Sequence, residues 1–86
     1  MYDVVFVLKG SVRKKVLKTL SEPKTPQIIA KEINKDRSSV SRALLDMKEK
    51  DIVKCDNPGD KRYRFYSITK KGKMVMKDIE RLYGSK

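Results

Sequence analysis

The hydrophobic positions in the first part of the chain follow the spacing of helices. Residues 2–8 are an apolar run rich in β-branched residues, which fits a short buried strand or a first helix that ends at Gly10 in the left-handed conformation; we favour the helix. Ser11 then suits the N-cap of a second helix, because a small hydroxyl side chain can bond the free amides of a first turn. The apolar positions of that helix are Val12, Val16, Leu17 and Leu20. Pro23 ends it, since proline disfavours helical backbone in the residue before it.

Two short helices separated by three residues come next. Thr25 and Pro26 are typical of an N-cap followed by proline at the first helical position, and this helix is expected to end at Asn34, which tolerates the left-handed conformation. Asp36 predicts the N-cap of a following helix over residues 37–50. The apolar positions are Ile28, Ile29 and Ile33 in the first helix and Val40, Ala43, Leu44 and Met47 in the second. This pair predicts a helix-turn-helix.

The last third of the chain changes to strands and then returns to a helix. Residues 52–56 and 63–68 are expected to be two strands joined by the turn Asn-Pro-Gly-Asp at residues 57–60, and Thr69 caps a final helix. The apolar stripe of that helix is Val75, Ile79 and Leu82, with Met76 and Tyr83 beside it. The order predicts a mostly helical α+β fold, a winged helix-turn-helix with a two-stranded β-hairpin wing and flanking N- and C-terminal helices. We expect residues 1–86 to form one such domain.

The charge of the chain points to a polyanionic partner. Its 86 residues include 22 Lys and Arg against 11 Asp and Glu, a net charge of +11, and basic residues occur throughout the predicted elements. A lysine-rich composition without functional meaning is the alternative. The chain has no apolar run of membrane-spanning length and no signal peptide, so we expect a cytoplasmic protein.

The sequence offers little for catalysis or metal binding. It has no histidine, the commonest metal ligand and general base, and Cys55 is its single cysteine. No carboxylate pair, phosphate-binding loop or nucleophile with a base can be named, so we expect no enzyme activity, no cofactor and no metal. We interpret Cys55 as a small buried hydrophobe rather than a redox sensor.

Two stretches resemble winged-helix regulators of the MarR and ArsR-like families. Residues 36–45 read Asp-Arg-Ser-Ser-Val-Ser-Arg-Ala-Leu-Leu and, with the apolar residues Met47, Ile52 and Val53, are similar to the recognition helix and strand entry of these regulators. Residues 64–73 read Arg-Phe-Tyr-Ser-Ile-Thr-Lys-Lys-Gly-Lys and are similar to their wing strand and the start of their closing helix.

The resemblance covers about residues 6–79 and implies a DNA-binding transcription regulator. It departs from the family pattern at Asn34 and Asp51, where such regulators commonly have glycine. Asn and Asp tolerate left-handed backbone better than most residues, so the fold is expected to survive both changes.

The residues expected to contact DNA lie on three predicted elements. On the helical wheel, the side opposite the apolar stripe carries the expected base-reading residues Ser38, Ser39, Ser41, Arg42 and Leu45. Arg42 is the first candidate, because a guanidinium can bond guanine at two atoms. Contacts to the DNA backbone are expected from Thr25, Gln27, Lys35 and Arg37, and contacts by the wing from Lys61, Arg62 and Arg64. Each group also has an alternative role. The polar side of the helix could be ordinary solvated surface, and Thr25 could serve only as a cap. The wing charges could only protect the hairpin against aggregation.

The expected partner is double-stranded DNA. We favour binding as a homodimer through residues 2–8 and the C-terminal helix, because two half-sites supply specificity that one small module lacks; otherwise both segments only close the core. Tyr63, Phe65 and Tyr66 are expected to pack between the strands and the core rather than stack on unpaired bases.

The sequence therefore predicts a sequence-selective transcription regulator. We favour a repressor over an activator, because occluding a promoter is the simplest mechanism. Two other functions remain open at this point. One is a winged-helix module that binds a protein of the transcription or RNA machinery, and the other is a nonspecific nucleic-acid-binding chromatin protein.

Overall fold

The computed structural model describes residues 2–83, which contain five helices and a two-stranded sheet. In chain order the elements are α1 (Tyr2–Lys9), α2 (Ser11–Thr19), α3 (Pro26–Ile33), α4 (Arg37–Glu49), β1 (Val53–Cys55), β2 (Tyr66–Ile68) and α5 (Lys70–Tyr83). Residues 2–8 therefore belong to a helix, as favoured above, and the element order is that of the predicted mostly helical α+β fold. Residues 1 and 84–86 of the predicted domain lie outside the described residues.

Three helices begin at the predicted cap residues, which are Thr25 for α3, Asp36 for α4 and Thr69 for α5. Each side chain accepts a hydrogen bond from the backbone N–H three residues later, at 3.3, 3.0 and 3.0 Å. Asn34 and Asp51 adopt left-handed backbone with φ of 58° and 61°. The two departures from the glycine pattern thus preserve the backbone conformation that glycine usually supplies.

The junction between α1 and α2 differs from the prediction. Gly10 is extended rather than left-handed, with φ −105° and ψ 112°, and it is itself the N-cap residue, so Ser11 is the first residue of α2. A Cβ at position 10 would lie 2.7 Å from the Cδ of Arg13. Arg13 stacks 4.0 Å from the ring centroid of Phe6 and donates a 2.6 Å hydrogen bond to its carbonyl oxygen. The glycine therefore leaves room for the arginine that joins α1 to α2.

The core collects apolar side chains from every helix and from both strands. The largest fully buried side chains are Val7, Val16, Ile29, Val40, Leu44, Met47, Ile52, Val53 and Ile79. Three residues of the predicted apolar stripes are instead exposed, namely Ile28, Leu82 and Tyr83. Ile28 is exposed because α3 buries the following side chains, Ile29 and Ala30, and the other two lie in the last turn of α5, beyond the buried part of that helix.

Both strands are shorter than the predicted residues 52–56 and 63–68. They pair antiparallel in the register Val53–Ile68, Lys54–Ser67 and Cys55–Tyr66. Beyond this ladder, Asn57 Nδ2 donates to the carbonyl oxygen of Tyr63 at 2.7 Å, and Asn57 Oδ1 accepts from the N–H of Phe65 at 2.8 Å. The regular strand stops because a side chain, rather than the partner strand, satisfies these backbone groups.

A segment outside the hairpin also bonds β2. Lys24, in the link between α2 and α3, exchanges two backbone hydrogen bonds with Tyr66, at 3.0 and 2.8 Å. This bridge attaches the entry of the helix-turn-helix to the strand that leaves the wing.

The start of α5 packs against residues 50–52, which we call the α4–β1 corner. The Thr69 hydroxyl lies 2.6 Å from the carbonyl oxygen of Asp51 and 2.9 Å from that of Ile52. Gly72 is buried, and a Cβ there would fall far inside van der Waals contact with the Ile52 carbonyl oxygen. The close approach of two backbones therefore requires glycine at this position.

Candidate nucleic-acid interface

The exposed side of α4 carries the residues predicted to read bases. Ser38, Arg42 and Leu45 are exposed, whereas Ser39 and Ser41 are half-buried. The opposite side of the helix buries Val40, Ala43, Leu44 and Met47, as predicted. Leu45 is half exposed and is the apolar residue among the predicted base-reading residues on this side.

Asp36 and Ser39 fix the N-terminus of α4. The Ser39 hydroxyl donates to Asp36 Oδ1 at 2.8 Å, in addition to the capping bond from the Ser39 amide to the same carboxylate. These hydrogen bonds to the charged form hold the pKa of Asp36 below its ordinary value. Ser39 is thus engaged in the cap, while the hydroxyls of Ser38 and Ser41 have no hydrogen-bond partner within residues 2–83.

A concave surface lies between α4 and the wing, and we call it the wing cleft. Its volume is about 240 Å³, and it is lined by Pro26, Arg37, Ser41, Leu45, Lys61, Arg62, Arg64 and Tyr66. The lining contains Arg37 and the three basic wing residues but no carboxylate. The cleft thereby brings predicted base-reading, backbone-contacting and wing residues to one surface. A concentration of positive charge in a concave surface attracts an anionic ligand.

The remaining predicted base-reading residues lie on the other flank of α4. Ser38, Ser39 and Arg42 line a second groove, of about 470 Å³, together with the N-terminus of α2. Asp46 in this groove forms an ion pair with Arg13 at 3.4 Å, a contact between distant residues that local sequence does not predict. Arg42 has no ion-pair or hydrogen-bond partner in the described part of the chain, so its guanidinium is available to a ligand.

The wing loop, residues 56–65, has a defined backbone although it is exposed. The predicted turn is closed by a 3.0 Å hydrogen bond from the N–H of Asp60 to the carbonyl oxygen of Asn57. Asp60 Oδ1 also accepts from the N–H groups of Tyr63 and Arg62, at 3.0 and 2.8 Å, and these bonds hold the pKa of Asp60 below its ordinary value. The loop therefore presents its three basic side chains from a hydrogen-bonded scaffold.

The residues predicted to contact the DNA backbone differ in exposure. Gln27, Lys35 and Arg37 are exposed. Thr25 is only 8% exposed, and its hydroxyl accepts the capping bond of α3. A contact at Thr25 is therefore restricted to backbone amides of the first turn of α3.

The aromatic residues of the wing divide into one buried and two exposed side chains. Tyr66 belongs to the core, as predicted, but Tyr63 and Phe65 are 58% and 38% exposed, so the packing predicted for these two is wrong. The Tyr63 carbonyl oxygen and the Phe65 N–H bond the side chain of Asn57 rather than a neighbouring strand. The alternation of side chains along a strand could have predicted this difference. When Tyr66 faces the core, Tyr63 and Phe65 occupy positions that face away from it.

Cys55 is half-buried on β1, with its Sγ 4.0 Å from Asn57 Oδ1. Among residues 2–83, no group of three or more His, Cys, Asp and Glu side chains is arranged to hold a metal ion. None of the described helices combines the length and the hydrophobicity needed to cross a membrane.

A comparison with solved structures identifies the fold. The chain is similar to the crystal structure of the transcriptional repressor BigR from Xylella fastidiosa, with a TM-score of 0.75, 17% sequence identity, and coverage of 99% of this chain and 87% of that one. The predicted winged helix-turn-helix fold is thereby confirmed. No protein-family model matches the chain, and no curated protein matches its sequence. The narrower resemblance to the MarR and ArsR-like families stays a prediction.

Proposed function

We propose that this protein is a sequence-selective double-stranded DNA-binding transcription regulator. The wing cleft carries the proposal, because it combines α4 side chains with four basic residues and no acidic one on a single surface. The fold likeness to a transcriptional repressor supports the same function. Residues 1–86 act as one DNA-binding domain, which works in the cytoplasm by occupying its site on DNA and not by catalysis.

In the proposed complex α4 enters the major groove, which is wide enough for one α-helix. Arg42 bonds a guanine edge, while the hydroxyls of Ser38 and Ser41 bond bases or phosphates and Leu45 contacts a thymine methyl. The wing then lies along the adjacent backbone or enters the minor groove. Hydrogen bonds to Asp60 hold the backbone at Arg62 and the side chain of Arg64, which favours such a contact.

The dimer is part of the same proposal. Val5 on α1 and Leu82 and Tyr83 on α5 are exposed apolar side chains, and Asp3 and Lys71 join these two helices through a 3.4 Å ion pair. A two-fold dimer through α1 and α5 would cover the exposed residues and place two copies of α4 one helical turn of DNA apart. Binding by the dimer across a promoter represses transcription by occlusion.

Selection of bound sequences from a random duplex pool tests the function directly. A palindromic motif is the expected result, because a two-fold dimer reads two equal half-sites. Affinity for that motif is expected to fall steeply with salt, by about 0.9 in log K per unit of log salt for each phosphate contact. Failure to enrich a motif would favour nonspecific nucleic-acid binding, and a flat salt dependence would favour a protein-interaction module.

Arg42→Ala tests the base-reading role. We expect it to weaken binding to the selected motif by about 1–3 kcal/mol and to leave binding to random duplex nearly unchanged. Lys31→Ala, at an exposed position of α3 outside both grooves, is the matched control. Competitive titration of the two duplexes measures both effects, and equal losses on both would remove Arg42 from the base-reading set.

A further inference from the structure

Two exposed aromatic residues of the wing have no role in duplex recognition as proposed above. We propose that Tyr63 and Phe65 form a stacking surface for unpaired bases, so that the protein binds DNA with locally separated strands in addition to paired duplex. The surface lies on the outer face of the wing, opposite the wing cleft.

Alternation along the chain places the two rings on that outer face. From Arg62 onward, Arg62, Arg64 and Tyr66 line the wing cleft together with Lys61, whereas Tyr63 and Phe65 do not and are 58% and 38% exposed. In an extended segment, successive side chains point to opposite faces. The wing therefore has a basic face toward α4 and an aromatic face away from it.

The two rings are on alternate residues of the wing, which favours unpaired bases over stacked ones. Residues two apart in an extended chain are separated by roughly 6.6 Å. Successive bases of a duplex strand are only about 3.4 Å apart and already cover each other's faces. Rings held at the wider spacing would match bases that are unstacked and drawn apart, as in single-strand binding by aromatic platforms.

The backbone under the rings is held in one conformation. The N–H of Tyr63 donates to Asp60 and its carbonyl oxygen accepts from Asn57, while the N–H of Phe65 donates to Asn57 and its carbonyl oxygen accepts from the N–H of Asp56. Every backbone polar group of the two aromatic residues is thus satisfied within the loop. Little ordering is needed before a base can stack, which lowers the entropic cost of binding.

A cation lies on the same face as the rings. Lys54 pairs with Ser67 in the hairpin, and both alternate with the core residues Cys55 and Tyr66, so they share the outer face with Phe65. Lys54 is exposed and has no partner among the described residues. Asp56 lies on the same face, where its carboxylate accepts a hydrogen bond from the hydroxyl of Ser67. Lys54 can therefore hold the phosphate of a nucleotide whose base stacks on the wing.

The test compares two DNA probes of equal length, a fully paired duplex and a duplex with a central bubble of unpaired thymines. We expect the wild-type protein to bind the bubble more tightly. Tyr63→Leu and Phe65→Leu should each weaken bubble binding by roughly 5- to 150-fold, the range for losing one base stack, and leave duplex binding unchanged. Tyr63→Phe should retain the preference, because it keeps the ring.

Lys31→Ala, at an exposed position of α3 outside both grooves, is the control and should leave binding to both probes unchanged. A 2-aminopurine placed in the bubble reports stacking directly, through quenching by the wild-type protein and by Tyr63→Phe but not by Tyr63→Leu. The proposal is overturned if the wild-type protein binds the two probes with equal affinity, or if Tyr63→Leu does not change the ratio of the two affinities. Binding of another protein would then be the remaining use for this face. If the wild-type protein binds the bubble probe but not the fully paired duplex, the proposed duplex recognition is contradicted instead.

Discussion

The α4–β1 corner and the wing loop are both irregular segments held by side-chain hydrogen bonds, but their surroundings differ. At the corner, Thr69 bonds the backbone and Gly72 packs directly against it, with the buried side chains of Ile52 and Val53 beneath. In the wing loop, Asn57 and Asp60 do the bonding, and solvent surrounds the residues they hold. A change at the corner therefore disturbs the core, whereas a change in the loop disturbs only the surface that we propose binds DNA.

The largest effect is expected from Gly72→Ala. The added methyl group must displace the backbone carbonyl of Ile52, and overpacking of this kind costs about 1–3 kcal/mol, or a fall of roughly 5–20 °C in Tm. Gly59→Ala in the wing loop is the control, because a Cβ there meets nothing within 4 Å. Thermal unfolding followed by circular dichroism measures both variants. Similar Tm values for the two would show that the corner is no more constrained than the loop.

An intermediate effect is expected from Asn57→Ala. It removes the acceptor of the Phe65 N–H and the donor to the Tyr63 carbonyl, yet both groups then bond water, so the free energy of unfolding should change by less than about 1 kcal/mol. Duplex affinity should fall by about 0.5–1.5 kcal/mol because the loop must be ordered on binding. Hydrogen exchange at Phe65 and a binding titration test this, with Gly59→Ala in the same loop as the control. A large fall in the Tm of Asn57→Ala would show that the wing loop, like the α4–β1 corner, contributes to the stability of the core.

The smallest effect is expected from pH. The hydrogen bonds from Tyr63 and Arg62 lower the pKa of Asp60, so its ionised form favours the ordered loop at pH values above the ordinary Asp pKa of about 3.9. That contribution is lost as the pH falls through the lowered pKa of the folded loop. NMR titration of the amide signals of Arg62 and Tyr63 should show the transition below pH 4 in the wild type and none in Asp60→Asn. A transition centred above pH 4 would contradict the assignment.

The sequence predicted most where a signal acts over one turn of helix. Thr25, Asp36 and Thr69 are caps because each bonds the amide three residues away. Asn34 is left-handed at the end of α3, a conformation that asparagine itself tolerates. The order of elements, and hence the fold, followed from such signals together with apolar spacing. Exposure of Ile28 was not predicted, because it depends on which side of α3 meets the rest of the core.

The errors arose where distant or unusual contacts decide the structure. The wing strands are short because a single asparagine side chain replaces the ladder, and position 10 is a glycine because a Cβ there would meet the side chain of Arg13. The candidate site was predicted as a set of residues but not as two surfaces. That division depends on how the wing and α2 flank α4, which local sequence does not specify.

The paired backbone hydrogen bonds between Lys24 and Tyr66 have a mechanical consequence for recognition. They join the segment that enters α3 to the strand that leaves the wing, so the base of the wing is attached to the helix-turn-helix. In the proposed complex, the protein therefore sets the distance between α4 and the base of the wing, and the DNA must match it. A site whose groove widths differ from that distance would have to bend or twist, and sequences that deform easily would gain affinity at base pairs that the protein never touches.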